Sequence, residues 1–311
     1  LLHARSGYQT LCVLVSDNGS DAALPRAQLT LQFTACDSPT TTISNSKGAT
    51  SLASCTSFSG SVAIATGVSG DLALDGLEYI KGNLEAGNIS SLTGLSSKSL
   101  RTIGQTFHLN NLTTLNTISF PALESAKTLR WRSLPNLGSV EFDRGINSEK
   151  VNIQDTFLQT LNISAADEIY IGNNPFAKNI SIGLNNVTGS LVVEFNGRGN
   201  RASVLDLPEL YWANNITIQN VASINMPLVN TINDTLRIQS SSIEKLEIPN
   251  LGSVKRSLAI VDNLNLSSIQ MPGLLQVQEL QITNNSKLEN FTFDQLGVIS
   301  GDVSISGNLT R

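Results

Sequence analysis

The chain has 311 residues, with 20 Lys and Arg against 25 Asp and Glu, a net charge of −5 and only 14% charged residues. A chain of this length can bury roughly 75% of the surface its unfolded form exposes, and so sparse a positive charge leaves no basic face for a phosphate backbone, so no nucleic-acid partner is expected. Aromatics are 5% of the residues while Leu, Ile, Ser, Thr and Asn abound, a mixture that favours strands punctuated by Asn-rich turns over a helical bundle or a disordered tail. Apolar runs never reach the roughly 20 positions of a membrane-spanning helix. Three cysteines (Cys12, Cys36, Cys55) and two histidines (His3, His108) do not make a zinc site of ordinary spacing, and no metal or cofactor is expected.

In chain order, residues 1–33 match neither a cap nor a repeat and are an atypical segment, a signal remnant or a misplaced start. Residues 34–59 hold Cys36, Cys55 and a short helix candidate around Ser51 to Ser54, which suits a cap over the open edge of a first coil. Cys36 and Cys55 are 19 positions apart, and a bridge closing such a loop stabilises it by ~3 kcal/mol in an oxidising compartment. Cys12 is then the odd thiol.

From residue 60 to 311 one phrase returns at intervals of 18 to 25 residues: apolar, variable, apolar, then a small polar turn. Its first apolar residue falls at Leu84, Phe107, Leu129, Val151, Ile169, Leu191, Ile216, Leu236, Leu258, Leu280 and Val303. Two places on come Ala86, Leu109, Trp131, Ile153, Ile171, Val193, Ile218, Ile238, Ile260, Ile282 and Ile305, a period-two pair that marks a strand with one buried face. Val62 and Ile64 look like one further row upstream. Most rows close on Asn, as at Asn88, Asn111, Asn173, Asn220 and Asn284, with Ser133, Asp155 and Ser240 in other rows. An amide carries both a donor and an acceptor, so a fixed Asn column predicts a ladder that meets the turn's backbone groups in the next coil.

A second phrase, as in Phe120-Pro121-Ala122-Leu123 and Ile248-Pro249-Asn250-Leu251, puts Pro at a recurring corner and argues against helix there. One coil cannot bury its own apolar side chains, but eleven or twelve stacked at the strand spacing of ~4.8 Å give a rod ~50 Å long. The expected fold is all-β, a right-handed parallel β-solenoid. A start at Leu1 without Met and a stop at Arg311 inside a coil lead us to expect that both ends of the natural polypeptide are missing or altered, with the solenoid truncated at its C-terminal end.

Asn-x-Ser/Thr occurs at Asn18, Asn88, Asn111, Asn162, Asn179, Asn186, Asn215, Asn233, Asn265, Asn284, Asn290 and Asn308, where chance would give about six such sequons. The excess points to a secreted glycoprotein. Asn215, just before the inward Ile216, is expected to point outward, and Asn162, Asn179, Asn233, Asn265 and Asn290 complete the set of preferred glycan sites. Asn88, Asn111 and Asn284 double as ladder residues.

Two motifs look catalytic. Gly197-Arg198-Gly199-Asn200-Arg201-Ala202 matches a dinucleotide fingerprint, but that string must open a helix, and Ser203-Val204-Leu205-Asp206-Leu207-Pro208 continues as another strand and corner. It is expected to be an inserted surface loop. His108 points away from the core beside Arg130 and Arg132 of the next row, near Tyr170 two rows further. This column is a candidate outer-face site for an acidic sugar or a protein partner, or a solvated strand face. Trp131 is inward and is expected in the core. No Ser-His-acid set surrounds His108, and outward carboxylates do not cluster as a polysaccharide-cleaving β-helix requires.

Leu210-Tyr211-Trp212-Ala213-Asn214-Asn215-Ile216-Thr217-Ile218, the coil Gly82-Asn83-Leu84-Glu85-Ala86-Gly87-Asn88 and the pair Cys36 and Cys55 resemble the fungal glycolipid-anchored cell-wall organisation proteins. Those repeats look like the L domains of the insulin and epidermal growth factor receptors. The resemblance covers residues 36–311. It implies a glycoprotein at the cell surface and in the wall, without a catalytic residue, that contacts wall polysaccharide or wall proteins and is tethered to the plasma membrane by a C-terminal glycosylphosphatidylinositol anchor not present in this chain. A ligand-binding receptor-like ectodomain and a carbohydrate-active β-helix enzyme are the alternatives.

Overall fold

The computed structural model describes residues 35–143, 145–163, 166–198 and 201–307. Cys12, His3, Asn18 and Asn308 lie outside the described residues, as does the side chain of Asn162. Among the described residues nearly every element is a strand, and the largest sheet has 17 strands joined in parallel. Its rows run from Thr40–Ile43 to Val303–Gly307.

The apolar phrase stacks in register along the whole stack. Val62 faces Leu84, Leu84 faces Phe107, Phe107 faces Leu129 and Leu129 faces Val151. The column continues through Ile169, Leu191, Ile216, Leu236, Leu258, Leu280 and Val303. From Val62 to Leu280 these side chains are buried, as are their partners from Ile64 to Ile282. In the last described row Val303 is 52% and Ile305 37% exposed. The stack begins one row before the phrase does, because Thr40–Ile43 pairs with Ser61–Ile64 and puts Ile43 over Ile64. Thr41 stands where later rows carry an apolar residue, which hides this row from a search for apolar pairs.

The helix is Ser46–Leu52, starting earlier than the sequence suggested. Asn45 caps it by accepting from the Gly48 backbone N–H at 3.1 Å, and Ala49 and Leu52 turn inward. An Asn cap followed by residues with free backbone N–H groups is the local reason for that start. The Cys36–Cys55 disulfide, with Cα atoms 5.7 Å apart, ties the turn Ala35–Asp37 to the chain just beyond the helix.

The ten rows from Leu84 to Leu280 each end on a backbone that only some residues tolerate. Asn88, Asn111, Ser133, Asp155, Asn173, Phe195, Asn220, Ser240, Asp262 and Asn284 all have φ between 47° and 58°. This left-handed corner turns the chain from the main sheet toward a second face, and Asn accepts it at least cost among residues with a Cβ. The second face is made of shorter parallel strands in three blocks, running from Gly70–Ala73 to Ser139–Glu141, from Thr160–Ile163 to Val221–Asn225, and from Lys245–Glu247 to Asn290–Thr292. The Pro phrases close the coil as tight turns, with Leu123 N–H bonded to Phe120 O at 3.0 Å and Leu274 N–H to Met271 O at 3.1 Å. Pro at the second place of such a turn has its φ already set.

The asparagine ladder is real, but much of it sits one residue later than expected. The corner residues hold the left-handed backbone, and several of their side chains bond at the surface, as Asn111 Nδ2 does to Asn88 Oδ1 at 2.9 Å. The next residue points inward, and there Asn174, Asn196, Asn263 and Asn285 are buried. Asn263 Oδ1 accepts from Ser241 N at 3.0 Å and its Nδ2 donates to Ile238 O at 3.1 Å, both in the preceding coil. Asn285 does the same to Asn263 N and Ile260 O at 2.9 Å each. These are the groups a turn would otherwise leave unpaired.

Candidate functional site

The outer face of the main sheet presents side chains one place before, one place after and three places after each row's first apolar residue, as strand alternation requires. The middle column reads Glu85, His108, Arg130, Asn152, Tyr170, Val192, Thr217, Arg237, Ala259 and Gln281. His108 is half-buried and stands beside Arg130, which is exposed. Asn152 separates Arg130 from Tyr170. Arg132 belongs to the third column, between Asn110 and Gln154, and its guanidinium lies 3.7 Å from the Asp155 carboxylate.

Tyr170 is not a free donor. Its ring lies along the strand over Gly172, where an added Cβ would come within 2.5 Å of the phenol oxygen. The hydroxyl donates to Glu194 Oε1 at 2.9 Å. Burial first, then this hydrogen bond and the Glu194 charge, push the phenol up to about 12. Lys150 bonds Glu168 at 2.8 Å, and that carboxylate holds its ammonium above the usual value.

The four residues singled out from the sequence therefore do not converge on one point. His108 and Arg130 form a local pair, while Arg132 and Tyr170 are engaged by Asp155 and Glu194. A shallow depression of about 290 Å³ gathers Arg130 and Tyr170 with Lys150, Asn152, Glu168 and Val192. Lys150 and Glu168 were missed because they sit one place before the row, in a column that alternation also turns outward. Beyond this depression the face is rich in amides: Gln239 Nε2 donates to Gln219 Oε1 at 3.2 Å, and Arg237 Nε donates to Gln239. Such a face offers hydrogen bonds and a flat apolar backing, with little net charge. Among the described residues no three His, Cys, Asp or Glu side chains form a metal-binding group, and no helix is long and apolar enough to cross a membrane.

The described residues of the dinucleotide-like string are strand. Gly197–Arg198 runs antiparallel to Arg201–Asp206, and the latter strand joins the second face with no helix following. Among the sequons, Asn179, Asn233, Asn265 and Asn290 are exposed. Asn162 lies in the strand Thr160–Ile163. Asn215 departs from expectation: it is half-buried, wedged between Ser190 and Thr235, and its Oδ1 is buried without a hydrogen-bond partner. An outward column is not an open one when its neighbours stack on both sides.

The chain is 31% identical over 273 residues to a "Cell surface GPI-anchored protein" of Arthroderma benhamiae, a match that covers 86% of this chain and 69% of that relative. It belongs to a family of fungal cell-surface and cell-wall proteins. Protein ecm33 of Aspergillus fumigatus, also in the family, is 31% identical over 240 residues, covering 76% of this chain and 59% of the relative. Sporulation-specific protein 2 of Saccharomyces cerevisiae is 30% identical over 267 residues, with 83% and 52% covered. The chain thus spans between half and six-tenths of the length of these last two family members. No family model matches it. No solved structure matches it either. The family resemblance read from the Trp212 phrase and the Cys36–Cys55 pair is borne out.

Proposed function

We propose that the protein is a non-catalytic glycoprotein of the fungal cell surface that helps organise the wall and is tethered to the plasma membrane by a glycosylphosphatidylinositol anchor; two relatives are named cell surface GPI-anchored proteins. The observation that carries this reading is the stacked outer face itself. It is a long, amide-rich surface held by a continuous buried core; two of its ion pairs are Lys150–Glu168 and Arg132–Asp155, the Glu194 carboxylate accepts from the Tyr170 hydroxyl, and its carboxylates are not gathered beside a base. Repetition of hydrogen-bonding side chains at the strand spacing of ~4.8 Å suits an extended neutral polysaccharide better than a compact ligand. The wall polysaccharide is placed along the columns that include Arg130, Asn152 and Tyr170.

Loss of the gene should sensitise cells to wall-binding dyes. The full protein should also sediment with insoluble wall glucan, and an Arg130→Ala, Asn152→Ala double variant should sediment less. Normal dye resistance in the deletion strain counts against the role, equal sedimentation counts against this face, and turnover of a purified wall polysaccharide moves the protein to the enzyme class.

A further inference from the structure

Asn186 opens the strand Asn186–Glu194, and its in-register neighbour in the next coil is Trp212. The residues after them, Val187 and Ala213, are fully buried. Alternation therefore turns Asn186 and Trp212 to the same outer side, one strand spacing of ~4.8 Å apart. Asn186 is exposed and Trp212 half-buried. The Asn186 amide stays out of the side-chain ladders that engage Asn111, Asn233 and Asn284. Thr188, which completes the sequon, is exposed as well. Asn186 also helps to line a depression of about 340 Å³ with Ser148, Asp167 and Glu209, the last of these lying three residues before Trp212, and the Ser148 hydroxyl is buried without a partner.

We infer that Asn186 carries an N-linked glycan whose first N-acetylglucosamine packs against the Trp212 indole, with the next sugar over the Ser148, Asp167 and Glu209 depression. The inference rests on the secretory reading above. In the transfer, Asn186 Nδ2 displaces pyrophosphate from C1 of a lipid-pyrophosphate-linked oligosaccharide. The N–C bond forms as the C–O bond to pyrophosphate breaks, the lipid pyrophosphate leaves with that electron pair, and the amide loses one proton. The C–H face of a pyranose ring is apolar, so resting it on an indole removes apolar area from water and sets the ring hydrogens against the negative π face. The depression lies in the size range of small-ligand sites and offers polar partners for sugar hydroxyls.

The chain has two tryptophans, Trp131 and Trp212, and Trp131 is fully buried, so quenching of indole fluorescence by acrylamide reads Trp212 almost alone. The protein secreted from a yeast should show glycan at Asn186 by glycopeptide mass mapping. Thr188→Ala, which keeps Asn186 but ends the sequon, should raise the quenchable share of the fluorescence from a small fraction towards about half, because one of two indoles becomes accessible while the packed core stays closed. Trp212→Phe should keep the glycan and lose most of the quenchable signal. Should Thr188→Ala fail to be secreted, enzymes acting on the folded wild type give the same comparison. Trimming to the first sugar should leave quenching low, and complete removal should raise it. A bare Asn186 beside other occupied sequons, or quenching that ignores the first sugar, overturns the inference and leaves the scaffold reading standing. A protein bare at every sequon overturns both.

Discussion

The two halves of the rod solve the same corner with opposite chemistry. In the N-terminal half the residue after the left-handed corner is Ile89, Leu112 and Leu134, all fully buried, beside an aromatic cluster in which Phe107 meets Phe120 and Trp131 edge-on at 5.4 and 5.5 Å. In the C-terminal half the same place holds Asn174, Asn196, Ser241, Asn263 and Asn285, bonded from coil to coil, with the fully buried Val221 after Asn220 as the apolar exception. The backbone is alike in both, with positive φ at Asn111 and at Asn284. A stack can thus be held at this edge by excluded water or by directed hydrogen bonds, and the choice sets which substitutions each half tolerates.

The largest expected effect comes from emptying the apolar half. Trp131→Ala should cost about 4 kcal/mol, since an indole in a close-packed cluster leaves a cavity the neighbours cannot fill; urea unfolding reads it as a lower midpoint. The exchange of chemistries is a sharper test. Asn263→Leu strands Ser241 N–H and Ile238 C=O and should cost about 3 kcal/mol, while Leu112→Asn buries an amide among apolar neighbours at about the same cost. If either swap leaves the midpoint unchanged, the two halves do not differ in the way described.

Asn284→Ala acts on the corner that both halves share and should cost about 1 kcal/mol, with Asn284→Gly recovering most of it because Gly adopts positive φ freely. The smallest effect is in pH. The Tyr170 phenol is raised in the fold to about 12 from 10.0, so folding favours its protonated form. That stability is fully present below pH 10 and is lost as pH rises from 10 towards 12. The Tm of the wild type should fall more steeply than that of Tyr170→Phe across this window, and parallel curves would show that the fold does not raise the phenol.

Much of this architecture was legible because a period-two apolar pair repeated at fixed intervals has one simple use. What escaped notice did so for identifiable reasons. Asn173 and Asn174, like Asn284 and Asn285, stand side by side, and spacing alone does not say which of two adjacent amides faces in; the backbone turn at the first decides it. Asn215 was expected to point outward as a preferred glycan site; alternation reports that direction but not the crowding of stacked neighbours. The outer column containing His108, Arg130 and Tyr170 was readable as a line, but the pairing of Tyr170 with Glu194 depends on the bare Gly172 that lets the ring lie down. The string that begins at Gly197 runs into the strand Arg201–Asp206, where a dinucleotide fingerprint would open a helix.

The parallel stacking also fixes how the rod answers to force. Its interstrand hydrogen bonds run along the axis, so tension between the ends loads one coil boundary at a time instead of shearing many bonds together. Each coil that peels away, such as the 22-residue interval between Leu258 and Leu280, frees about 75 Å of chain. A molecule stretched between a membrane and a stiff wall would lengthen in discrete steps of nearly constant size, a mechanical fuse whose sawtooth an optical-trap recording would reveal, and a single all-at-once rupture would refute.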